Sequence, residues 1–221
     1  MIFYLRAVTK TLPYSFIAVE GNIGAGKTTL TNMLSADFDR RLILEQFSDN
    51  PFLPFFYEQP ERYAFPVELF FMTERHKQLQ AELAQTQLFG ENVIADYFFV
   101  KTLLFARNNL QDEEYRLFTR LYNVLNASFS QPELLVFLHR PVEALQANIK
   151  KRGREYEQQI TDEYLLSIQN AYFEYFRTQT KTPVLVLELD ELDFTTDKKV
   201  YDRIITLMSE SYDQGVTRLK V

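Results

Sequence analysis

The sequence predicts an α/β fold in which a five-stranded parallel sheet is flanked by helices. Three observations carry this. Short apolar runs recur at residues 16–19, 42–44, 93–95, 134–138 and 184–187, and runs this continuous suit strands buried on both faces. Longer amphipathic stretches separate them, and an alternation of strand and helix calls for parallel pairing through helical crossovers. A glycine-rich loop lies between the first run and the first stretch, at the strand end where such folds bind ligands.

Taken in order, the first strand leads through that loop into a helix over 28–38. A second strand, Arg41-Leu42-Ile43-Leu44-Glu45, closes on an acid. The stretch 64–88 is read as an uninterrupted helix with an apolar stripe at Phe65, Leu69, Met72, Leu79 and Leu83. The third strand, Glu91-Asn92-Val93-Ile94-Ala95-Asp96, again closes on an acid, and 99–125 is long enough for one helix. The fourth strand stops before Pro141, and helices follow over 142–151 and 162–180. Pro183 opens the fifth strand, and both prolines stand at boundaries where a missing N–H costs little. The first dozen residues and residues 210–221 carry no clear pattern and are expected to be loosely attached. No linker or repeat divides the chain, so residues 1–221 are expected to form a single domain with its core at about 16–209.

Composition excludes several classes. A chain of 221 residues with 46% hydrophobic and 24% charged residues is globular, and folding buries roughly 70% of its unfolded surface. Zero cysteines rule out a disulfide scaffold, a thiolate metal site and a cysteine nucleophile, and two histidines, His76 and His139, make an imidazole site unexpected. A net charge of −6 gives no global field for a nucleic-acid polymer, so any anion site must be local. Residues 1–10 lack a signal-peptide core and no apolar run is long enough to span a membrane, which makes a cytoplasmic protein the expectation. The 20 Phe and 13 Tyr suit core packing more than a base-stacking pocket.

The sharpest signal is Gly21-Asn22-Ile23-Gly24-Ala25-Gly26-Lys27-Thr28, a GxxxxGK[ST] loop between strand and helix that defines a P-loop NTPase-type fold. Its glycines let the backbone N–H groups turn toward a phosphate, Lys27 adds a mobile charge, and Thr28 offers a hydroxyl to Mg²⁺. A chain of this size without a repeat or an NKxD signature points to small-molecule phosphoryl transfer. Glu45 is then the candidate to take a proton from an attacking hydroxyl, and Asp96 the candidate to hold Mg²⁺ with Thr28. Lys150, Lys151, Arg152 and Arg154 cluster around Gly153, either as an arginine-bearing lid or as a solvated helix end. Glu68 and Arg75, seven residues apart, lie roughly 10 Å apart along nearly one helix face, either reading the edge of a planar base or forming the wet margin of a core helix.

In this order the motifs resemble the deoxyribonucleoside kinase family, particularly its bacterial deoxyadenosine kinase-like members. The residues that carry the resemblance are GNIGAGKTT at 21–29, Glu45 with Asp49-Asn50-Pro51-Phe52-Leu53, Phe56-Tyr57-Glu58, Tyr63-Ala64-Phe65, Asp96 and KRGREYEQ at 151–158. It covers residues 16 to about 194 and implies a homodimer that transfers the γ-phosphate of ATP to the 5′-hydroxyl of a deoxynucleoside, with Mg²⁺. By position it makes Glu45 the base, Tyr57 and Glu157 the partners of the sugar 3′-hydroxyl, and Asp96 a magnesium ligand. Arg152 and Arg154 become lid arginines, Glu68 and Arg75 face the base, Thr29 closes the phosphate loop, and Asp193-Phe194 lie near the ATP adenine.

Departures from the family pattern are informative. Where the family usually carries Arg-Ser after the strand-three acid, this chain has Tyr97-Phe98, and Asn148 replaces an arginine at the first lid position; Lys101 and Lys150 are the candidates to compensate. Thr102 stands where several relatives have an aspartate near the base. The usual base-reading glutamine corresponds to Glu68, whose ionised carboxylate only accepts hydrogen bonds and so suits guanine, whereas the overall resemblance leans to adenine. A purine deoxynucleoside is expected, with the base open. Two rivals stand beside this reading: a nucleoside monophosphate kinase, which needs a cationic acceptor-phosphate site with Arg75 as its candidate, and a noncatalytic nucleotide-binding module.

Overall fold

The computed structural model describes residues 11–46, 50–178 and 181–221. Residues 1–10, Asp49 and the last two positions of the stretch 162–180 lie outside the described residues. The elements run β1 (Phe16–Gly21), α1 (Lys27–Phe38), β2 (Arg41–Ile43), α2 (Leu53–Phe56), α3 (Pro60–Phe89), β3 (Val93–Ala95), α4 (Val100–Asn109), α5 (Asp112–Asn126), β4 (Leu134–His139), α6 (Val142–Arg152), α7 (Asp162–Thr178), β5 (Pro183–Glu188), α8 (Lys198–Met208) and β6 (Gly215–Lys220).

The strands form one parallel sheet in the order β2-β3-β1-β4-β5-β6. Successive side chains alternate between its faces, and both faces are covered. On β1, Phe16 and Ala18 join the core under α3, α4, α5 and α7, while Ile17 and Val19 join the core under α1, α6 and α8. The same division sends Leu135 and Phe137 of β4 one way and Leu134, Val136 and Leu138 the other. Most aromatic residues serve this packing: Phe137 packs against Tyr172, Phe173 and Phe176, and Phe99 against Tyr122 and Phe129.

Four sequence expectations are corrected. The sheet has six strands, not five, because residues 215–220 of the supposedly loose terminus pair in register with β5 from Pro183↔Gly215 to Glu188↔Lys220. This edge strand is half-buried on one face only, with Val216, Arg218 and Lys220 exposed, so it lacks the continuous apolar run that marks its neighbours. The stretch 99–125 is two helices: Leu110 is extended at ψ 149°, and Gln111 restarts the chain through a reciprocal capping box with Glu114. The third helix begins earlier than expected, at Pro60, and runs unbroken to Phe89, although Pro66 within it removes the N–H that the Arg62 carbonyl would otherwise receive. Helix α8, which covers the β5 side of the sheet with Val200, Ile204, Ile205 and Met208, was not among the expected elements.

Because β1 and β3 are adjacent and β4 lies on the other side of β1, the chain reverses direction across the sheet at β1. The carboxyl ends of β1, β2 and β3 therefore open side by side, which places the glycine loop, Glu45 and Asp96 at one crevice.

Candidate active site

The loop after β1 is shaped by close approaches that only glycine tolerates. Gly24 has φ +80°, and a Cβ there would sit 2.7 Å from the Leu145 carbonyl oxygen; Gly26 has φ +95° and lies against the Phe194 ring. Two amides hold the loop from outside: Asn22 Nδ2 donates to the Leu165 carbonyl at 2.7 Å, and Asn148 Nδ2 to the Gly24 carbonyl at 2.8 Å. Asn148 thus positions the loop from α6. Among the described residues no side chain caps α1, leaving its positive end directed at the crevice. Lys27 Nζ donates to the carbonyls of Gly21 and Asn22 at 2.9 and 2.8 Å, and burial together with the Lys101 charge pushes its ammonium down to about 8.

Asp96 joins three segments. Its Oδ2 accepts from the Thr28 hydroxyl at 2.5 Å and its Oδ1 from the Glu45 N–H at 2.7 Å. Glu45, two residues beyond β2, is bound on one oxygen by Arg75 at 2.6 Å and on the other by Lys101. Burial alone would raise the Glu45 carboxyl, but these two cations overcome it and hold it down at about 2. Arg75 also donates to the Thr102 hydroxyl at 3.0 Å. Beneath this group the buried Glu20 accepts from the Phe98 N–H and the Tyr172 hydroxyl, and its burial raises its carboxyl.

From Glu45 a cleft of 840 Å³, open mouth included, runs between α3 and α4. Along α3 it is lined by Arg75, Phe71 and Glu68, and along α4 by Lys101, Phe105 and Asn109. Each set repeats at helical spacing, so the two helices present matching layers: cations at the Glu45 end, aromatic rings between, and amide and carboxyl at the far end about 10–12 Å away. Asn109 Nδ2 donates to Glu68 Oε1 at 2.6 Å. Among the described residues Glu68 Oε2 has no hydrogen-bond partner, although the side chain is buried, and this burial lifts its carboxyl to about 7 despite the nearby Arg75. Tyr57 and Tyr164 complete the wall, and burial carries both phenols well above their ordinary range.

Over the mouth, α6 ends at Gly153 in the left-handed region, and a 3-10 turn follows at Glu155–Glu157. Arg152 and Arg154 both bond to Glu157, the latter at 3.2 Å. On the far side of the glycine loop lies a second cleft of 1740 Å³, lined by Gly26, Thr29, Arg140, Lys151, Asp193 and Phe194 among others. Arg140 ties its walls together through the carbonyls of Ala25, Asp190 and Leu192. Hydrogen bonds from Thr195 hold the Asp193 carboxyl below its usual range.

The structure therefore brings Lys27, Thr28, Glu45, Tyr57, Glu68, Arg75, Asp96, Arg152, Arg154 and Glu157 around the first cleft, and Thr29, Asp193 and Phe194 around the second; Gly24, Lys27, Thr28, Arg152 and Arg154 line both. Ile23 lines the first. Of the two compensating cations considered, Lys101 stands at Glu45, whereas Lys150 is exposed on α6 and lines neither cleft. Tyr97 is fully buried, donates to Gln78 at 2.7 Å and lines neither cleft. The aromatic residues are not all core, since Phe71, Phe105 and Tyr164 face the cleft. Neither these nor Asn109 were singled out from sequence; the four-residue spacing of Lys101, Phe105 and Asn109 was the available signal.

Loop, acids and lid around a slot that ends in a hydrogen-bonding group define a phosphotransferase of the P-loop class. The deoxynucleoside kinase family model matches residues 17–212, and the chain belongs to that family. It is 33% identical to a deoxyguanosine kinase of Bacillus subtilis over 199 residues, covering 88% of this chain and 96% of that protein. A deoxyguanosine kinase of Lactobacillus acidophilus is 30% identical over 218 residues, 92% of this chain and 90% of its own. Among solved structures, deoxyadenosine kinase from M. mycoides with bound dATP superposes with a TM-score of 0.75 at 26% identity, over 88% of this chain and all of that one. The chain is thus a deoxynucleoside kinase whose parallel α/β sheet matches that of its relatives. Among the described residues, no helix is long and apolar enough to cross a membrane.

Proposed function

We propose that this kinase transfers the γ-phosphate of ATP to the 5′-hydroxyl of a purine deoxynucleoside, with Mg²⁺, in cytoplasmic nucleotide salvage. The observation that carries this is the Glu45 carboxylate, held ionised between Arg75 and Lys101 and joined through Asp96 to the phosphate loop. It stands where a hydroxyl in the slot meets a phosphate on the loop. Thr28 Oγ1 and the Asp96 carboxylate converge as hard oxygen donors and fit a magnesium ion, which when bound neutralises phosphate charge. Backbone N–H groups of residues 21–29 and Lys27 cradle the phosphates, and the second cleft, with Asp193 and Phe194, takes the adenine.

Glu45 accepts the 5′-hydroxyl proton. A carboxylate held at about 2 is a weak base, so it receives the proton late, once the forming O–P bond has acidified the hydroxyl, in keeping with a loose phosphoryl transition state. Arg152 and Arg154 neutralise charge on the moving phosphoryl group, and Tyr57 and Glu157 hold the 3′-hydroxyl. The base lies between Phe71 and Phe105 against Glu68. The monophosphate kinase reading is weaker because Arg75, the cation it relies on, is bonded to Glu45 and Thr102. The exposed apolar stripe Leu117, Leu121 and Val124 on α5 supports a homodimer.

The test is incubation with Mg·ATP and each deoxynucleoside or its monophosphate, with products resolved by chromatography. A purine deoxynucleoside 5′-monophosphate is expected. Diphosphates alone, or no product despite ATP binding, overturn the proposal.

A further inference from the structure

At the end of the slot farthest from the reaction, Glu68 is 2% exposed, anchored through Oε1 by Asn109, and leaves Oε2 buried without a partner among the described residues. An unpaired buried carboxyl oxygen is costly, so the group is built to meet something that enters the slot. The flat aromatic layer of Phe71 and Phe105 next to it sets that partner's shape, and the carboxyl sets its edge chemistry. Resting on the purine kinase reading above, we propose that Glu68, held by Asn109, selects the purine by its own charge: as a carboxylate it takes guanine, and as a carboxylic acid it takes adenine.

The complementarity is specific. Guanine presents two adjacent donors, N1–H and the 2-amino group, to two acceptor oxygens. Adenine presents N1 as an acceptor beside the 6-amino donor; a carboxylate repels that N1, whereas a carboxylic acid donates to it and accepts from the amino group. The balance between the two forms is poised near neutrality. Burial raises the carboxyl, Arg75 on the same helix, the Asn109 bond and Lys101 lower it, and Glu45 raises it, with the outcome at about 7. Tyr57 and Tyr164 also face Glu68 and stay protonated in this range.

Because Lys27, the other group near neutrality, acts on both substrates alike, the decisive quantity is the ratio of kcat/KM for deoxyguanosine to that for deoxyadenosine. Between about pH 6 and about pH 8 the ratio is expected to rise by up to about 100-fold, following the ionised fraction of Glu68. In Glu68→Gln the ratio should become independent of pH and shift toward deoxyadenosine by at least about tenfold, since an amide offers one acceptor and one donor. Calorimetric titration of both nucleosides without ATP reads the same selectivity in binding and does not depend on transfer. A flat ratio in the unmodified protein, or an unchanged preference in Glu68→Gln, overturns the inference. A pH-dependent binding ratio in a protein that transfers no phosphate would sustain it while removing the kinase reading on which the substrate assignment was first made.

Discussion

Replacing Glu45 by Gln keeps the shape of the side chain and removes its charge, leaving Arg75 and Lys101 facing an amide in a site where the carboxylate is only 7% exposed. A carboxyl lowered from 4.5 to about 2 in the fold stabilises it by about 3 kcal/mol at neutral pH. Breaking a buried ion pair by removing one partner costs a similar amount, about 3–5 kcal/mol. For a chain of this length that corresponds to a fall in Tm of roughly 6–20 °C. The depressed value also sets the sign with pH: the contribution is complete above about 4.5 and is lost as pH falls toward about 2, so the gap between the two proteins should close over that window. Turnover, measured below the melting range of both proteins, should fall about 10²–10⁴-fold if the carboxylate takes the proton. Urea unfolding at neutral and acidic pH gives the first quantity and product formation the second. Turnover within about threefold of the unmodified enzyme would refute the base assignment, and a stability loss below about 1 kcal/mol would refute the buried triad.

Three further substitutions probe the frame around this site. Gly24→Ala places a methyl group 2.7 Å from a backbone oxygen at φ +80°, so about 1–3 kcal/mol of strain is expected together with a loss of ATP affinity of at least about tenfold, read by nucleotide titration; Gly153→Ala, at φ +71°, carries backbone strain too but, with nothing among the described residues within 4 Å of its Cβ, should leave ATP affinity unchanged. Tyr97→Phe removes one hydrogen bond to Gln78 and should cost about 0.5–1.5 kcal/mol in urea unfolding with turnover within about twofold, since Lys101 and not residue 97 stands at Glu45; a loss beyond tenfold would mean that the Tyr97 hydroxyl reaches the reaction.

What the sequence reveals and what it conceals divide along a physical line. The phosphate loop was legible because its chemistry is local: adjacent residues supply the turn, the lysine and the hydroxyl, and the preceding strand opens with the apolar run 16–19. The five strands that carry continuous apolar runs were legible for the same reason, whereas β6, half-buried on one face, was indistinguishable from a polar tail. The break between α4 and α5 was hidden because neither Gly nor Pro marks it, and the Gln111–Glu114 capping box reads as ordinary helical polarity until Leu110 is seen to be extended. At the active site the individual acids were visible as strand ends and Lys101 was a candidate cation, but its pairing with Glu45, and that of Asn109 with Glu68, were not legible. Lys101 lies 56 residues from Glu45 and Asn109 lies 41 from Glu68; the pairing of β2 with β3 sets Glu45 beside the start of α4, and the packing of α3 against α4 sets Glu68 beside Asn109. Lys101 also bears on Tyr97, which stands where the family usually carries an arginine. With residue 97 turned into the core, the first turn of α4 supplies a lysine to Glu45. A departure from a local motif is therefore weak evidence of lost activity when the next turn of the chain delivers a cation to the site.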